Sequence, residues 1–381
     1  MASNGHIDFL NSASKMIAKG KDSARKPLPH PIQLNPTHLG KLNVALRRSL
    51  DNLDEELCRF EKNFSGNGKT MCWAANYNDV FDQLKEIVSQ GRYSTVRFVD
   101  SPSNQTFEEL GIPSFVEDSK LQLADEAQVQ LFFADLLIAE SGSIVLLDKD
   151  NDYLKALNNS SVNIFFTTID HVVGSMVYAD IYSKAAKNPT LEKANPPFIL
   201  FSGSQNCKTY LFVVDNSRSE LLAHKRQRQI LACTNCGRCA EVCPVDNVIG
   251  TEPYNNVFSG PNGRVMLPFM ETVECYKHVV YACTMCGLCD SVCPMHLPIR
   301  EMILASRREF LENKDIDSEM EAMVSKYKKY VTDRGKMNKM AWLKQQVFNH
   351  HLSREIKESR KIERFADKSF NQLYQESQKQ K

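Results

Sequence analysis

The sequence predicts an α/β domain joined to a small helical domain built on cysteines, with a charged helical segment at its end. Three observations predict this. Short apolar runs alternate with helical periodicity over residues 36–222, the pattern of a sheet covered by helices. One cysteine phrase is written twice, at Cys233–Pro244 and at Cys283–Pro294. From residue 306 onward, 18 Lys and Arg stand against 12 Asp and Glu, with scattered apolar positions between them. The expected division is therefore an N-terminal helix and linker over 1–35, the α/β domain over 36–222, the cysteine domain over 223–305 and a charged helical tail over 306–381.

Taken in order, a short polar helix leads into Lys26-Pro27-Leu28-Pro29-His30-Pro31, whose prolines exclude regular structure. Leu39, Leu42, Leu46, Leu50, Leu53, Leu57 and Phe60 recur at helical spacing and predict an amphipathic helix. Strands are then expected at Thr70–Ala74, Ser94–Val99, Ile144–Leu147, Asn163–Thr168, Pro197–Phe201 and Tyr210–Val214. Helices are expected at Tyr77–Gln90 and Glu126–Leu137. Between the cysteine phrases, Val265, Phe269, Val273 and Tyr276 mark a helical stretch within Gly260–Tyr281. The tail reads as solvated helices packing on the cysteine domain, with a docking surface for an acidic partner as the alternative.

Composition excludes several classes. A net charge of +1 argues against a general nucleic-acid or anionic-membrane binder. No apolar run approaches the ~20 residues that span a bilayer, so no transmembrane anchor is expected and membrane contact is left to peripheral association or partners. The first twenty residues lack the apolar core and cleavage site of a signal peptide. Twelve cysteines then imply a reducing, cytoplasmic setting. There is no G-x-G-x-x-G and no G-x-x-x-x-G-K-[ST], so flavin or NAD binding is unsupported.

Each cysteine phrase has the spacing C-x2-C-x2-C-x3-C-P, the bacterial pattern for two-cluster iron–sulfur sites. Three closely spaced cysteines offer three thiolates to one cubane, and the fourth, before proline, ligates the other cluster. Two [4Fe–4S] clusters are therefore expected. Cluster I takes Cys233, Cys236, Cys239 and Cys293, and cluster II takes Cys283, Cys286, Cys289 and Cys243. Zinc takes four ligands as a tetrahedron, usually from two C-x2-C pairs, and has no use for the third and fourth cysteine of each phrase. Disulfides need an oxidising compartment. Gly237 and Gly287 let backbone N–H groups approach anionic sulfur. Arg238 in the first phrase faces Leu288 in the second at the matching position, which predicts the higher reduction potential for cluster I. Cys58, Cys72, Cys207 and Cys275, outside the phrases, read as packing residues. Glu140-Ser141-Gly142-Ser143 reads as an ordinary loop before a buried strand rather than an anion site.

Several stretches carry a resemblance. Asp215-Asn216-Ser217-Arg218-Ser219, Cys233–Pro244, Tyr254–Pro268 and Cys283–Arg300 resemble the iron–sulfur subunit of the three-component bacterial L-lactate utilisation system. Ala134–Leu146, with its Ala139-Glu140-Ser141-Gly142-Ser143 core, is similar to the LUD domain of that family, as is Arg59–Val80, and Ala366–Phe370 is like its closing segment. The resemblance implies an α/β LUD domain of the NagB/RpiA/CoA-transferase type followed by a helical two-cluster ferredoxin domain. It implies electron transfer during L-lactate oxidation, with a cysteine-rich CCG-domain subunit and a second LUD protein as partners. Where that family tends to carry P-P-T-H-I, this chain has Ser160-Ser161-Val162-Asn163-Ile164, and an amide cannot take up a proton near neutral pH. No catalytic residue is assigned, and a non-catalytic component of an oxidoreductase complex is expected. The alternatives are the electron-transfer subunit of a heterodisulfide-reductase-like or other hydroxy-acid system, and a LUD enzyme or sensor whose clusters report redox state.

Overall fold

The computed structural model describes residues 35–66, 69–91, 93, 96–98, 129–147, 153–186, 198–203, 207–250, 260–270, 273–312 and 370–379, with isolated positions between 12 and 15 and between 321 and 368. Nearly all of the expected N-terminal helix and linker, the stretch 99–128 and most of the tail lie outside the described residues. The chain forms two compact units, Met1–Phe310 and Leu311–Lys381.

The leading amphipathic stretch is two helices, Pro36–Asp51 and Leu53–Phe64. Asn35 caps the first by accepting from the Thr37 N–H at 2.9 Å. Asn52, at φ −126° and ψ 42°, breaks the helical path between them. The leucines at helical spacing face inward as expected: Leu39, Leu42, Leu46 and Leu50 from the first helix, Leu57, Phe60 and Phe64 from the second.

Among the described residues nine strands follow, β1 (Lys69–Ala74), β2 (Val96–Phe98), β3 (Val129–Phe133), β4 (Leu136–Ile138), β5 (Ser143–Leu147), β6 (Val162–Thr168), β7 (Val172–Val173), β8 (Phe198–Phe201) and β9 (Lys208–Val214). Five make a wholly parallel sheet in the order β1-β9-β6-β3-β2. Its strands read as near-continuous apolar runs because both faces are covered. Phe132, Phe165, Leu211 and Val213 fill one face, and Leu131, Ile164, Phe166 and Phe212 fill the other. A second sheet, β7-β4-β5-β8, is mixed, with β4, β5 and β8 antiparallel.

One expectation is corrected. The helix expected at Glu126–Leu137 is replaced, over its described part, by β3 and the start of β4. Val129-Gln130-Leu131-Phe132 is fully buried, and a short apolar run buried on both sides has no periodicity that separates helix from strand. The other expected strands stand within a few residues of their predicted limits, and Tyr77–Gly91 is a helix. The helical stretch between the cysteine phrases is two helices, Pro261–Met270 and Val273–Tyr281.

The turn joining β4 to β5 holds Gly142 at φ +62°. A Cβ there would lie 2.4 Å from the Asn63 carbonyl carbon, so glycine lets the turn pack on the helix Leu53–Phe64. Asn63 Nδ2 donates to the Ala139 and Glu140 carbonyls at 2.8 and 3.2 Å. Glu140–Ser143 is thus an ordinary packed hairpin turn, as expected.

A third core ties the cysteine region to the α/β part. Leu42 and Leu46 of the first helix meet Leu136 and Val145 of the second sheet, Ile230 and Leu231 ahead of the first cysteine phrase, and Val265 and Ile303 beyond it. In the second unit, the helix Phe370–Lys379 has no buried residue.

Candidate metal centre

The two cysteine loops share one backbone. Asn235 and Met285, at equivalent positions, have φ of 51° and 60°; Gly237 and Gly287 follow at 74° and 78°. These left-handed residues curl each loop so that an N–H points back at its first sulfur. Asn235 N donates to Cys233 Sγ at 3.4 Å, and Met285 N donates to Cys283 Sγ at 3.3 Å. Left-handed φ is unfavourable for a methionine, and it persists where the surroundings hold it. Short helices, Arg238–Glu241 and Leu288–Val292, then carry Cys239 and Cys289 back toward the loop.

Among the described residues, no group of three or more His, Cys, Asp and Glu is arranged to hold a single ion. Cysteines of a cubane each take a separate iron and stand further apart than ligands of one zinc. Cys233, Cys236, Cys239 and Cys293 nevertheless gather. Burial pushes the Cys233 thiol well up, and Cys236 and Cys293 push it further. Cys239 is raised by burial and by Cys233, Cys236 and Cys293. Burial raises Cys293 to about 11, and Cys236 acts on it in turn. The last cysteine of the second phrase therefore lies against the first phrase.

The second group is looser. Burial and Asp290 raise Cys289 to about 12, with a contribution from Cys283. Cys286 is exposed. Cys243 is buried beside Asp246 and Arg264, and Arg264 Nη1 donates to its sulfur at 3.3 Å.

The donor set fits iron–sulfur clusters. Sulfur is the soft ligand such centres need. Burial pushes the Cys233, Cys236, Cys239, Cys243, Cys289 and Cys293 thiols up, and a cationic metal core would offset that by stabilising their thiolates.

The first loop rests on a polar cluster at the carboxyl ends of the parallel strands, the edge where open α/β sheets commonly place function. After β9, Asn216 and Ser217 take φ of 42° and 60° and turn the chain. Asn216 N donates to the Ala75 carbonyl at 2.9 Å, beyond β1. The turn delivers Arg218, buried, whose Nε lies 2.8 Å from Asp170 Oδ1 after β6. Burial opposes ionisation of Asp170, but Arg218, His171 and Thr168 outweigh it and hold the carboxyl below its ordinary value. Thr168 Oγ1 donates to Asp170 Oδ1 at 2.5 Å and lies 2.8 Å from His171 Nδ1. His171 Nε2 lies 3.4 Å from Asn235 Nδ2 of the cysteine loop. With the amide as donor, Nε2 accepts and the imidazole proton sits on Nδ1. Burial depresses His171, favouring the neutral ring.

Asn163 is buried at the start of β6, where its Oδ1 accepts from Ser160 Oγ at 2.7 Å and its Nδ2 donates to Leu157 O at 3.3 Å. That is the amino end of the strand, opposite the polar cluster. Cys207 is buried, Cys72 half-buried and Cys58 exposed; the Cys275 side chain lies outside the described residues. The site residues that reading the sequence overlooked are Asp170, His171 and Arg264. Arg264 had a signal: it is the lone charge ahead of the apolar run Val265-Met266-Leu267-Pro268-Phe269.

Residues 229–297 match the 4Fe-4S dicluster domain family. The chain contains a 4Fe-4S dicluster domain. It is also similar to curated proteins named lactate utilization protein B. The Exiguobacterium sp. protein is 27% identical over 197 residues, 50% of this chain and 42% of its own. The Anoxybacillus flavithermus protein is 28% identical over 196 residues, 49% and 41% of the two chains. The Bacillus thuringiensis protein is 25% identical over 194 residues, again 49% and 41%. The matched part of the chain thus spans about two fifths of the length of these relatives. A crystal structure of a DUF162 family protein from Deinococcus radiodurans overlaps 43% of this chain and 98% of its own, at 18% identity and a TM-score of 0.32. No helix among the described residues is long and apolar enough to cross a membrane.

Proposed function

We propose that the chain is an iron–sulfur electron-transfer subunit of a cytoplasmic, multi-protein L-lactate oxidation system. Cys233, Cys236, Cys239 and Cys293 would hold one [4Fe–4S] cluster, and Cys283, Cys286, Cys289 and Cys243 a second. The names of the curated relatives support the lactate system, and the dicluster match supports the cofactor class. The observation that carries the pairing is the approach of Cys293 to Cys233, Cys236 and Cys239.

When bound, each cluster supplies reversible one-electron storage. The chain's own residues do the rest. The left-handed loop residues aim N–H groups at sulfur, and burial shields Cys236 and Cys239 of the first group from water. The α/β domain, 36–222, acts as a scaffold for the cysteine domain, 223–305, through the polar cluster beneath Asn235; the charged tail beyond Phe310 is a second unit. Substrate dehydrogenation belongs to partners, a CCG-domain cysteine-rich subunit and a second LUD protein.

Anaerobically purified protein should contain about eight irons and about eight acid-labile sulfides per chain. Cys293→Ala should remove the cluster of the first loop and leave the EPR signal of the second. Loss of the second signal instead would reassign the pairing, and stoichiometric zinc with little sulfide would refute the cofactor. Co-purification with the partner proteins and reduction by L-lactate in their presence test the system.

A further inference from the structure

Arg264 is the largest side chain among those fully withdrawn from water in the described residues, with 0% exposed. It stands on the helix Pro261–Met270, where its neighbours Val265, Met266 and Leu267 are buried too. Burying a guanidinium costs several kcal/mol unless partners offset it. Asp246, also buried, is one partner: Nη2 lies 2.5 Å from Oδ1, and Nη1 3.5 Å from Oδ2. That pair already neutralises the charge. The same guanidinium also donates from Nη1 to Cys243 Sγ at 3.3 Å. Cys243 and Asp246 lie three residues apart on either side of Pro244-Val245, so one side chain meets both.

A neutral thiol is a weak acceptor and gives this third contact little worth. A thiolate makes it a charge-assisted hydrogen bond, roughly twice as strong as a neutral one. The bond strengthens further as negative charge builds on the sulfur, which is what reduction of a thiolate-ligated cluster does. We propose that Arg264 is a positioning residue that sets the reduction potential of the cluster ligated by Cys243, holding it higher than the exposed second loop alone would. The inference rests on the ligand assignment proposed above. It also bears on the expectation drawn from Arg238 and Leu288. Arg238 is buried and favours the charged form of Cys236 in the first group. Arg264 stands beside a cysteine assigned to the other group, so a guanidinium acts on each.

The test is a dithionite titration of the full-length, anaerobically loaded protein followed by EPR, in which one electron enters each cluster and no bond changes. The signal that Cys243→Ser perturbs identifies the cluster concerned. Arg264→Gln removes the charged donor, and that signal alone should shift down. The expected loss is about tenfold in the equilibrium constant for reduction, about 59 mV for one electron. Asp246→Asn removes the counter-charge and keeps the shape, so the same signal should shift up. A merely structural role would not move the potential in opposite directions. In whichever variant retains full iron, no shift, a shift of the wrong sign or a shift of the other signal overturns the inference alone. Wild-type protein without two [4Fe–4S] signals, or a Cys243→Ser variant with both unperturbed, overturns the ligand assignment and this inference with it.

Discussion

The loops Cys233–Cys239 and Cys283–Cys289 share a spacing and a backbone and differ in what covers them. At matched positions Thr234, Cys236 and Arg238 are buried, whereas Thr284, Cys286 and Leu288 are exposed. The first loop lies against the carboxyl edge of the parallel sheet and touches His171. The second is covered on its far side by the helix Ile299–Glu312, where Arg307 Nη2 donates to the carbonyls of Val280 and Cys283 at 2.9 and 2.7 Å. Its front carries Cys286 and Leu288 in water. One motif thus makes two environments, a more buried one and a more open one.

The sharpest way to break this comparison is to attack both loops with oxygen or chelator. Iron should leave in two phases of similar size, the faster from the second loop, because Cys286 is exposed while Cys236 is covered. EPR read against Cys283→Ser and Cys233→Ser identifies each phase. Release in a single phase, or first from the Cys233 loop, would show that exposure does not separate the two.

Next in size is the support under the first loop. Arg218→Met leaves Asp170 buried without its main counter-charge, which should destabilise the fold by about 3–5 kcal/mol. Urea unfolding followed by far-UV circular dichroism measures it. The first cluster should also become the more easily lost, reversing the order above; unchanged stability would mean the polar cluster carries no load.

The smallest effect is a dependence on pH confined to the first loop. Burial depresses the His171 pKa below its ordinary 6.5, so neutral His171 stabilises the fold fully above about pH 6.5. That contribution is lost as pH falls through the folded value. Wild type should therefore lose more stability than His171→Gln between about pH 7.5 and pH 5.5. Parallel urea midpoints at the two pH values decide the point, and equal losses would leave His171 without a role.

Much of this architecture was legible along the chain. The parallel strands announced themselves because Val162–Thr168 and Lys208–Val214 are rich in β-branched and aromatic residues. The stretch from Glu126 misled because Val129-Gln130-Leu131-Phe132, buried on both faces, has the apolar content of a helix without a period that separates the two. Beyond the left-handed Asn235 and Met285, which carried no signal, the cysteine loops were legible down to Gly237 and Gly287, at φ of 74° and 78°. Their partners were not. Arg264 reaches Cys243 across 21 residues, and His171 reaches Asn235 across 64.

By itself, then, the sequence determined the two cysteine loops and the alternation of strand and helix. Each of those rests on chemistry between residues a few positions apart. Only the tertiary structure decided that one loop is buried and its copy exposed, and that Arg264 stands beside the Cys243 sulfur. Burial and charge proximity depend on which distant segments the core brings together, and no local spacing encodes them.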